Sequence, residues 1–311
     1  MIFKTVWRMA GHVLARRDQY STQALVRGIL RSLRMFAYYR EHRTLFQLDI
    51  YRNYLAPVSN NYVLRHLSHR AYLIDRLPLR ERVQCILTHY QFEDASFDAR
   101  YKRAVYRHDG MTLWQRSVGD SHFAIWLAMS APGTAEGELT LTLYANAECL
   151  HRISFSWVAG SLVGLPCPVV PFVARNQGAR SDVNHGIAAF DNAFPKNSPR
   201  YFCFAAMQGV AQAVGMSEVV GVKSQSQVIF CFTGRHFANA YDVFWRDIGG
   251  VELPQYGFHI ALPFYSATKA APSSKYGRQA ALRRACWDEI SLSARETVQG
   301  HVVGSAVVMT G

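Results

Sequence analysis

The middle of the chain alternates apolar and polar residues with a period of two. Residues 139–144 alternate leucine with threonine and tyrosine, and residues 153–157 alternate isoleucine, phenylalanine and tryptophan with serine. This period is that of half-buried strands, and residues 146–148 between the two segments are typical of a hairpin connection. A third apolar run, 169–174, predicts a further strand. These segments therefore predict a sheet, against which the rest of the chain must pack.

The flanking segments extend this sheet and add helices. Residues 111–115 and 122–128 predict two more antiparallel strands, which a turn at Val118-Gly119-Asp120 separates. Downstream, the sequence predicts a helix from Pro199 to Val214 that stops at Gly215, a buried strand at 218–223, and a helix from 237 to 248 that Gly249-Gly250 closes. The fold class that follows is α/β (α+β): a mixed, mostly antiparallel sheet flanked by helices.

The segment Arg175-Asn-Gln-Gly-Ala-Arg180 follows the third apolar run. Gly178 permits a turn that a residue with a β-carbon resists, and Ser181 or Asp182 is a plausible cap for a following helix. A basic glycine turn between a strand and a helix offers bare N–H groups to an anion. We expect this turn to hold a pyrophosphate.

Charge separates the first section of the chain from the rest. The 311 residues carry a net charge of +12, and residues 1–76 hold thirteen lysines and arginines against four acidic residues. We therefore predict a basic helical N-terminal section at 1–76, a main domain at 77–290 and a C-terminal tail at 291–311. The excess of positive charge predicts an anionic partner.

Residues 2–16 have the apolar spacing of an amphipathic helix, with basic residues on the opposite side. Such a helix can lie on an anionic membrane or pack on the protein itself. The sequence does not favour nucleic-acid binding, because the nearby aromatic residues form no stacking motif.

Six cysteines without close pairs favour a reducing compartment, and no apolar run is long enough to span a bilayer. We expect a cytoplasmic protein that is either free or peripheral on the inner membrane.

Two pairs of titratable residues lie at helical spacing. His89 and Glu93, at i,i+4 in a helix that begins near Leu79, could shuttle protons or form a contact on the helix surface. His66 and His69 could share a metal, but no third ligand follows at a usual spacing, so we predict no metal site.

Several segments together resemble the VirK/YbjX family, which is catalogued as a domain of unknown function. They are Glu136-Gly-Glu-Leu-Thr-Leu, Phe155-Ser156, Gln177-Gly178, Pro199 to Gly215, Tyr241 to Gly250, and the basic stretch from Lys275 to Trp287. The chain departs from the family pattern where Pro195-Lys-Asn-Ser-Pro199 replaces a His-Gly-Leu-Arg-Pro type sequence and where Gln227 replaces a histidine. The resemblance implies a bacterial protein linked to the envelope, to virulence and to tolerance of cationic peptides, without a settled reaction.

A more distant resemblance is to the layout of GNAT acyltransferases. It implies a cofactor loop at Gln177, Gly178 and Ala179, flanked by Arg175 and Arg180, and a helix asparagine at Asn239. The loop has one glycine where the motif has two. Trp245 stands where those enzymes carry the tyrosine that protonates the departing thiolate, and Tyr241 lies one helical turn earlier on the same face.

The GNAT resemblance implies an acyl thioester as donor, either acyl-CoA or the phosphopantetheine of an acyl carrier protein, bound in a V-shaped cleft between the strand ending near Ala174 and the strand at 219–222. The general base stays open among Glu148, the pair His89 and Glu93, and the pair Asp182 and His185, which is preferred because it adjoins the cofactor loop. The alternative is a non-enzymatic peripheral envelope factor that binds anionic lipid through its basic first section.

Overall fold

The computed structural model describes residues 37–56, 72–107, 110–131, 134–178, 184–228, 239–264 and 275–304. The first described part is helical: α1 spans Tyr39–Gln47, and a π-helical turn spans Ile50–Leu55. Leu45, Phe46 and Ile50 from these elements are buried in the same hydrophobic core as the sheet. The predicted amphipathic helix at 2–16 and the pair His66 and His69 lie outside the described residues.

Two further helices lie between this first described part and the sheet. Helix α2 spans Leu79–Ser96 and α3 spans Ala99–Arg107. The helix predicted to begin near Leu79 is confirmed, and its C-terminal part packs against the sheet through Phe92, whose ring centroid lies 4.6 Å from that of Trp157.

Eight strands form one mixed sheet in the order β1-β2-β3-β4-β5-β6-β8-β7. The strands are β1 (Met111–Val118), β2 (Ser121–Met129), β3 (Leu139–Ala145), β4 (Glu148–Ala159), β5 (Val169–Gly178), β6 (Glu218–Val222), β7 (Val251–Glu252) and β8 (Gly257–Ala261). Every neighbouring pair is antiparallel except β5 and β6. The predicted mixed, mostly antiparallel sheet is confirmed.

The alternation in the sequence accounts for the registers of the central strands. Leu139, Leu141 and Leu143 are fully buried, because one face of β3 packs into the core while the threonines between them lie on the other face. The turn between β1 and β2 places Gly119 at φ +56°, a conformation that costs glycine little.

Helices that follow β5 complete the fold. They are α4 (Asn184–Ala193), α5 (Pro199–Ala213), α6 (Phe244–Asp247), which continues a π-helical turn at Asn239–Val243, and α7 (Lys275–Gln299). Helix α5 starts with proline in its first turn and stops before Gly215 at φ +79°, as predicted.

Helix α7 lies close against α5. A β-carbon on Gly209 would come within 2.3 Å of the backbone oxygen of Ser291, so the two backbones approach where only glycine fits. Ile290, Ala294 and Val298 are buried along this contact. The helix therefore runs through residue 290, where the main domain was predicted to end.

The glycine turn predicted at 175–180 does not begin where expected. Strand β5 continues to Gly178, with Arg175 opposite Ser154 and Gly178 opposite His151 on β4. The backbone pairing with β4 extends the strand past the end of the apolar run, because a strand needs a partner edge more than it needs apolar side chains. Residues 179–183 lie outside the described residues.

Within the part of the chain that the structure describes, no helix has both the length and the apolar character needed to cross a bilayer.

Candidate functional site

The only parallel pair among the described strands, β5 and β6, stops pairing before the carboxyl end of β5. Strands β5 and β6 pair over two positions, Phe172 with Val220 and Val173 with Gly221, whereas β5 runs on to Gly178. The β4–β5 register shifts at this point, so Ala174 is an extra residue on β5. Bulges re-aim side chains next to functional sites. Beyond Val173, the edge of β5 that faces β6 is left without a strand partner.

Tyr241, from the π-helical turn, takes the place of that partner. Its hydroxyl accepts a hydrogen bond from the backbone N–H of Asn176 at 3.1 Å, and its side chain is fully buried. Burial raises the pKa of Tyr241, while hydrogen bonds with the Asn176 backbone and the Gln177 side chain lower it. The phenol therefore stays protonated at neutral pH.

A partly buried ion pair lies beside Tyr241. Arg175 Nη1 is 3.5 Å from Glu136 Oε2, and Gln227 Nε2 donates a 2.5 Å hydrogen bond to Glu136 Oε1. Burial raises the pKa of Glu136, although Arg175 and Gln227 both lower it. The position that departs from the family pattern, Gln227, thus contacts a carboxylate of the candidate site.

His151 and Arg200 complete the polar residues at this end of the sheet. His151 Nε2 lies 2.7 Å from Asn176 Oδ1, and the Cys203 thiol of α5 donates to the His151 backbone oxygen at 3.7 Å. Burial lowers the pKa of His151 to about 4, the hydrogen bond to Asn176 raises it, and Arg200 and Arg175 lower it further. His151 is therefore neutral at pH 7, with its Nε2–H donating to the asparagine oxygen.

The pair His89 and Glu93 belongs to the interior. The backbone N–H of Trp157 donates to His89 Nδ1 at 3.2 Å, and the Trp157 indole donates to Glu93 Oε1 at 2.6 Å. Both side chains are fully buried, so the interpretation as a helix-surface contact is wrong: this face of α2 packs against β4. Burial lowers the pKa of His89 to about 3 and raises that of Glu93 to about 7.

A second carboxylate, that of Glu138, lies half-buried near the same strand. It accepts hydrogen bonds from the hydroxyls of Tyr72 at 2.8 Å and Tyr90 at 2.5 Å. Ser156 Oγ accepts the Glu138 backbone N–H at 3.0 Å. These bonds satisfy the carboxylate where it lies, which favours a structural role for this group.

The structure brings together four of the residues that sequence analysis selected: Arg175, Gln177, Gly178 and Tyr241. His185 lies exposed in the first turn of α4, and Asn239 begins the π-helical turn; their roles stay predictions. The remaining selected residues, Ala179, Arg180 and Asp182, lie outside the described part of the chain.

Sequence reasoning missed five residues that the fold adds to the same end of the sheet, namely Glu136, His151, Asn176, Arg200 and Gln227. One signal existed for Gln227, because it departs from the family pattern. Glu136 and Arg200 lie in segments that carry the resemblance to the family, Asn176 lies in the predicted glycine turn, and His151 lies between two of those segments. Nothing in their spacing distinguishes these four residues.

Among the described residues, no group of three or more histidine, cysteine, aspartate or glutamate side chains could hold a metal ion.

A family model described as "Protein of unknown function (DUF535)" matches residues 19–285. The match covers most of the chain and begins well inside the basic first section. No curated protein and no solved structure gives a significant match.

Proposed function

The chain belongs to the VirK/YbjX family (DUF535), and from that premise we propose that it is a GNAT-like acyltransferase. The reaction would move an acyl group from a thioester, either acyl-CoA or the phosphopantetheine of an acyl carrier protein, to an amine or hydroxyl acceptor. The single observation that supports this proposal best is the parallel junction of β5 and β6, which is paired at two positions and is occupied beyond them by the hydroxyl of Tyr241.

The junction offers what a thioester needs. An extended pantetheine-like arm can pair with a strand edge that has no strand partner, and ligands in open sheets bind at the carboxyl ends of parallel strands. The two parallel strands are also those between which the GNAT resemblance implies the cleft, namely the strand ending near Ala174 and the strand at 219–222.

In the proposed reaction, the acceptor nitrogen or oxygen forms a bond to the thioester carbonyl carbon, and the carbon–sulfur bond breaks. The thiolate takes a proton from the Tyr241 hydroxyl, and a base takes the proton that the acceptor loses. Asp182 with His185 remains the preferred base. Trp245, which stands where GNAT enzymes have tyrosine, donates its indole N–H to the Val222 oxygen at 2.9 Å. An indole N–H is a hydrogen-bond donor and not a proton donor to a thiolate, so we assign the proton to the Tyr241 phenol.

The test is thermal unfolding of the full chain with a panel of acyl-CoA thioesters and a loaded acyl carrier protein. A donor at about 100 times its dissociation constant stabilises the folded state by about 2.7 kcal/mol, which raises the midpoint by roughly 5 °C. No shift with any donor would count against acyl transfer.

Gly178→Val provides the matched variant. Gly178 lies at the exposed end of β5, and a β-carbon there would meet no atom closer than the Leu150 backbone oxygen at 3.8 Å, so the unliganded protein should unfold at an unchanged midpoint. The valine should abolish the donor-induced shift. A shift that persists in this variant would place the donor elsewhere.

A second candidate function rests on the charge of the first section. With thirteen basic against four acidic residues in 1–76, the chain could act as a peripheral envelope factor on anionic lipid. Binding to phosphatidylglycerol vesicles should fall with added salt and disappear on removal of residues 1–17. Binding that survives the truncation would rule out the amphipathic helix as the anchor. The two functions are compatible, because an acyltransferase can dock on a membrane.

A further inference from the structure

Unpartnered hydrogen-bond donors gather at the carboxyl end of β5. Among the described residues, three buried side-chain nitrogen atoms at this one end of the sheet lack a hydrogen-bond partner: Arg175 Nε, Asn176 Nδ2 and Arg200 Nε. All three are donors. Because a buried donor without a partner costs about 1–3 kcal/mol, a group of donors and no acceptors indicates a ligand that supplies acceptors.

The orientation of Asn176 is fixed by its neighbours. Its side chain is 3% exposed, and its Oδ1 accepts from His151, which is neutral and has one N–H to give. The backbone N–H of Asn176 is bound to Tyr241. The amide nitrogen Nδ2 is therefore the one donor of this residue that the described structure leaves unsatisfied.

Arg200 reaches the same place from α5. The chain passes from β5 through α4 and α5 into the parallel strand β6, so α5 runs back along the sheet and its first turn lies at the carboxyl end of β5. The bond from Cys203 to the His151 backbone confirms this position. The Arg200 guanidinium lies 5.4 Å from the ring centroid of Tyr201 and 5.1 Å from that of Phe244, and these two rings hold it in place.

The electrostatics at this point favour an anion. Arg200 and Arg175 both lower the pKa of the neighbouring His151, and Glu136 is the carboxylate that contacts Arg175. Helix α5 has 15 residues, and Ser198, which precedes it, makes no side-chain hydrogen bond to its first turn. The backbone N–H groups at the positive end of the helix dipole therefore have no side-chain cap from Ser198.

We infer that Arg200, Asn176 and the first turn of α5 form a binding site for a phosphate group, to which Arg175 adds positive charge. Phosphate fits better than carboxylate, because it supplies three or more acceptor oxygens to donors that arrive from separate elements. The site stands on these unpartnered donors and does not depend on acyl transfer.

Calorimetric titration of the full chain with inorganic pyrophosphate, at constant ionic strength, tests the site. We expect saturable binding of one pyrophosphate. Arg200→Gln and Asn176→Asp should each weaken it at least about tenfold, whereas Arg103→Gln, the same change at an exposed arginine of α3, should leave it unchanged. Circular dichroism of each variant shows whether it is folded. If Arg200→Gln should unfold, Asn176→Asp still tests the site, because aspartate has the size of asparagine.

The remaining arms distinguish the sources of the phosphate. Competition between coenzyme A and pyrophosphate would assign the phosphate to an acyl carrier, and pyrophosphate binding without coenzyme A binding would assign it to another phosphorylated ligand; both support the site. A non-saturable response, an equal loss of affinity in Arg103→Gln, or tighter binding of acetate than of pyrophosphate would overturn it.

Discussion

The hydroxyl of Tyr241 accepts the backbone N–H of Asn176 at 3.1 Å, at the point where β5 continues and its parallel partner β6 no longer pairs with it. A side chain thus satisfies a strand edge that the sheet would otherwise leave open. A thioester donor that pairs with this edge, as we propose, would have to replace the phenol as acceptor for the Asn176 N–H.

Replacement of Tyr241 by phenylalanine removes this acceptor. The backbone N–H of Asn176 would then be buried without a partner, and the free energy of unfolding should fall by about 1–3 kcal/mol. Urea denaturation measures the change. Tyr144→Phe is the control, because Tyr144 is only half-buried and its ring contacts Trp126; equal losses in the two variants would contradict the role given to the hydroxyl.

Gly221→Ala tests the packing behind the junction. A β-carbon at Gly221 would lie 2.4 Å from Cε2 of Trp245, and the indole cannot move away easily because its N–H is bound to the Val222 oxygen. We expect a loss of about 1–3 kcal/mol in unfolding free energy, measured by urea denaturation. Gly304→Ala, where a β-carbon would meet nothing within 4 Å, should be neutral; a neutral Gly221→Ala would show that Trp245 can shift.

The sheet could be predicted from the sequence because its signals are local. Alternation over 139–144 and 153–157 identifies β3 and β4, and the glycines at 119 and 215 mark the end of a strand and of a helix. The family could also be recognised from the order of its segments, and the family match over residues 19–285 confirms it.

The candidate site could not be predicted in the same way, because its contacts are long-range. Gln227 and Glu136 are 91 positions apart, and Tyr241 and Asn176 are 65 apart. The pairing of β3, β4, β5 and β6 in one sheet brings these segments together. The length of β5 was missed because Arg175 and Gln177 are polar, although the backbone of β4 pairs with them all the same. The burial of His89 and Glu93 was missed because indole and phenol donors satisfy them, and such donors do not show in a helical pattern.

The hydrogen bond of Gln227 explains how this chain differs from the family pattern at that position. Gln227 is fully buried and donates to Glu136, and a histidine there could donate in the same way. Gln227→His should therefore cost little stability, whereas Gln227→Leu leaves the Glu136 oxygen without this donor and should cost about 1–3 kcal/mol. Thermal unfolding of the two variants side by side decides this, and similar losses in both would show that the hydrogen bond to Glu136 contributes little.

The buried Glu93 makes stability depend on pH. Its pKa rises from an ordinary 4.5 to about 7, chiefly because burial disfavours the charged form. Between these two values the unfolded chain has released the proton that the folded protein still holds, so the contribution of Glu93 to folding stability falls as pH rises from about 4.5 to about 7 and is constant outside that window. The buried histidines His89 and His151, whose pKa values are lowered, contribute in the opposite direction. The full effect of Glu93 is roughly 3 kcal/mol, since each pKa unit corresponds to about 1.4 kcal/mol.

Glu93→Gln isolates this contribution, because a neutral amide keeps an acceptor for the Trp157 indole and cannot ionise. In urea denaturation, the stability of this variant relative to the natural chain should rise between pH 5 and pH 8, because only the natural chain loses the Glu93 contribution. Glu296→Gln, at an exposed position of α7, should keep the pH dependence of the natural chain. An unchanged dependence in Glu93→Gln would mean that the folded protein ionises Glu93 at its ordinary pKa, and that the buried polar cluster around Trp157 accommodates the charge.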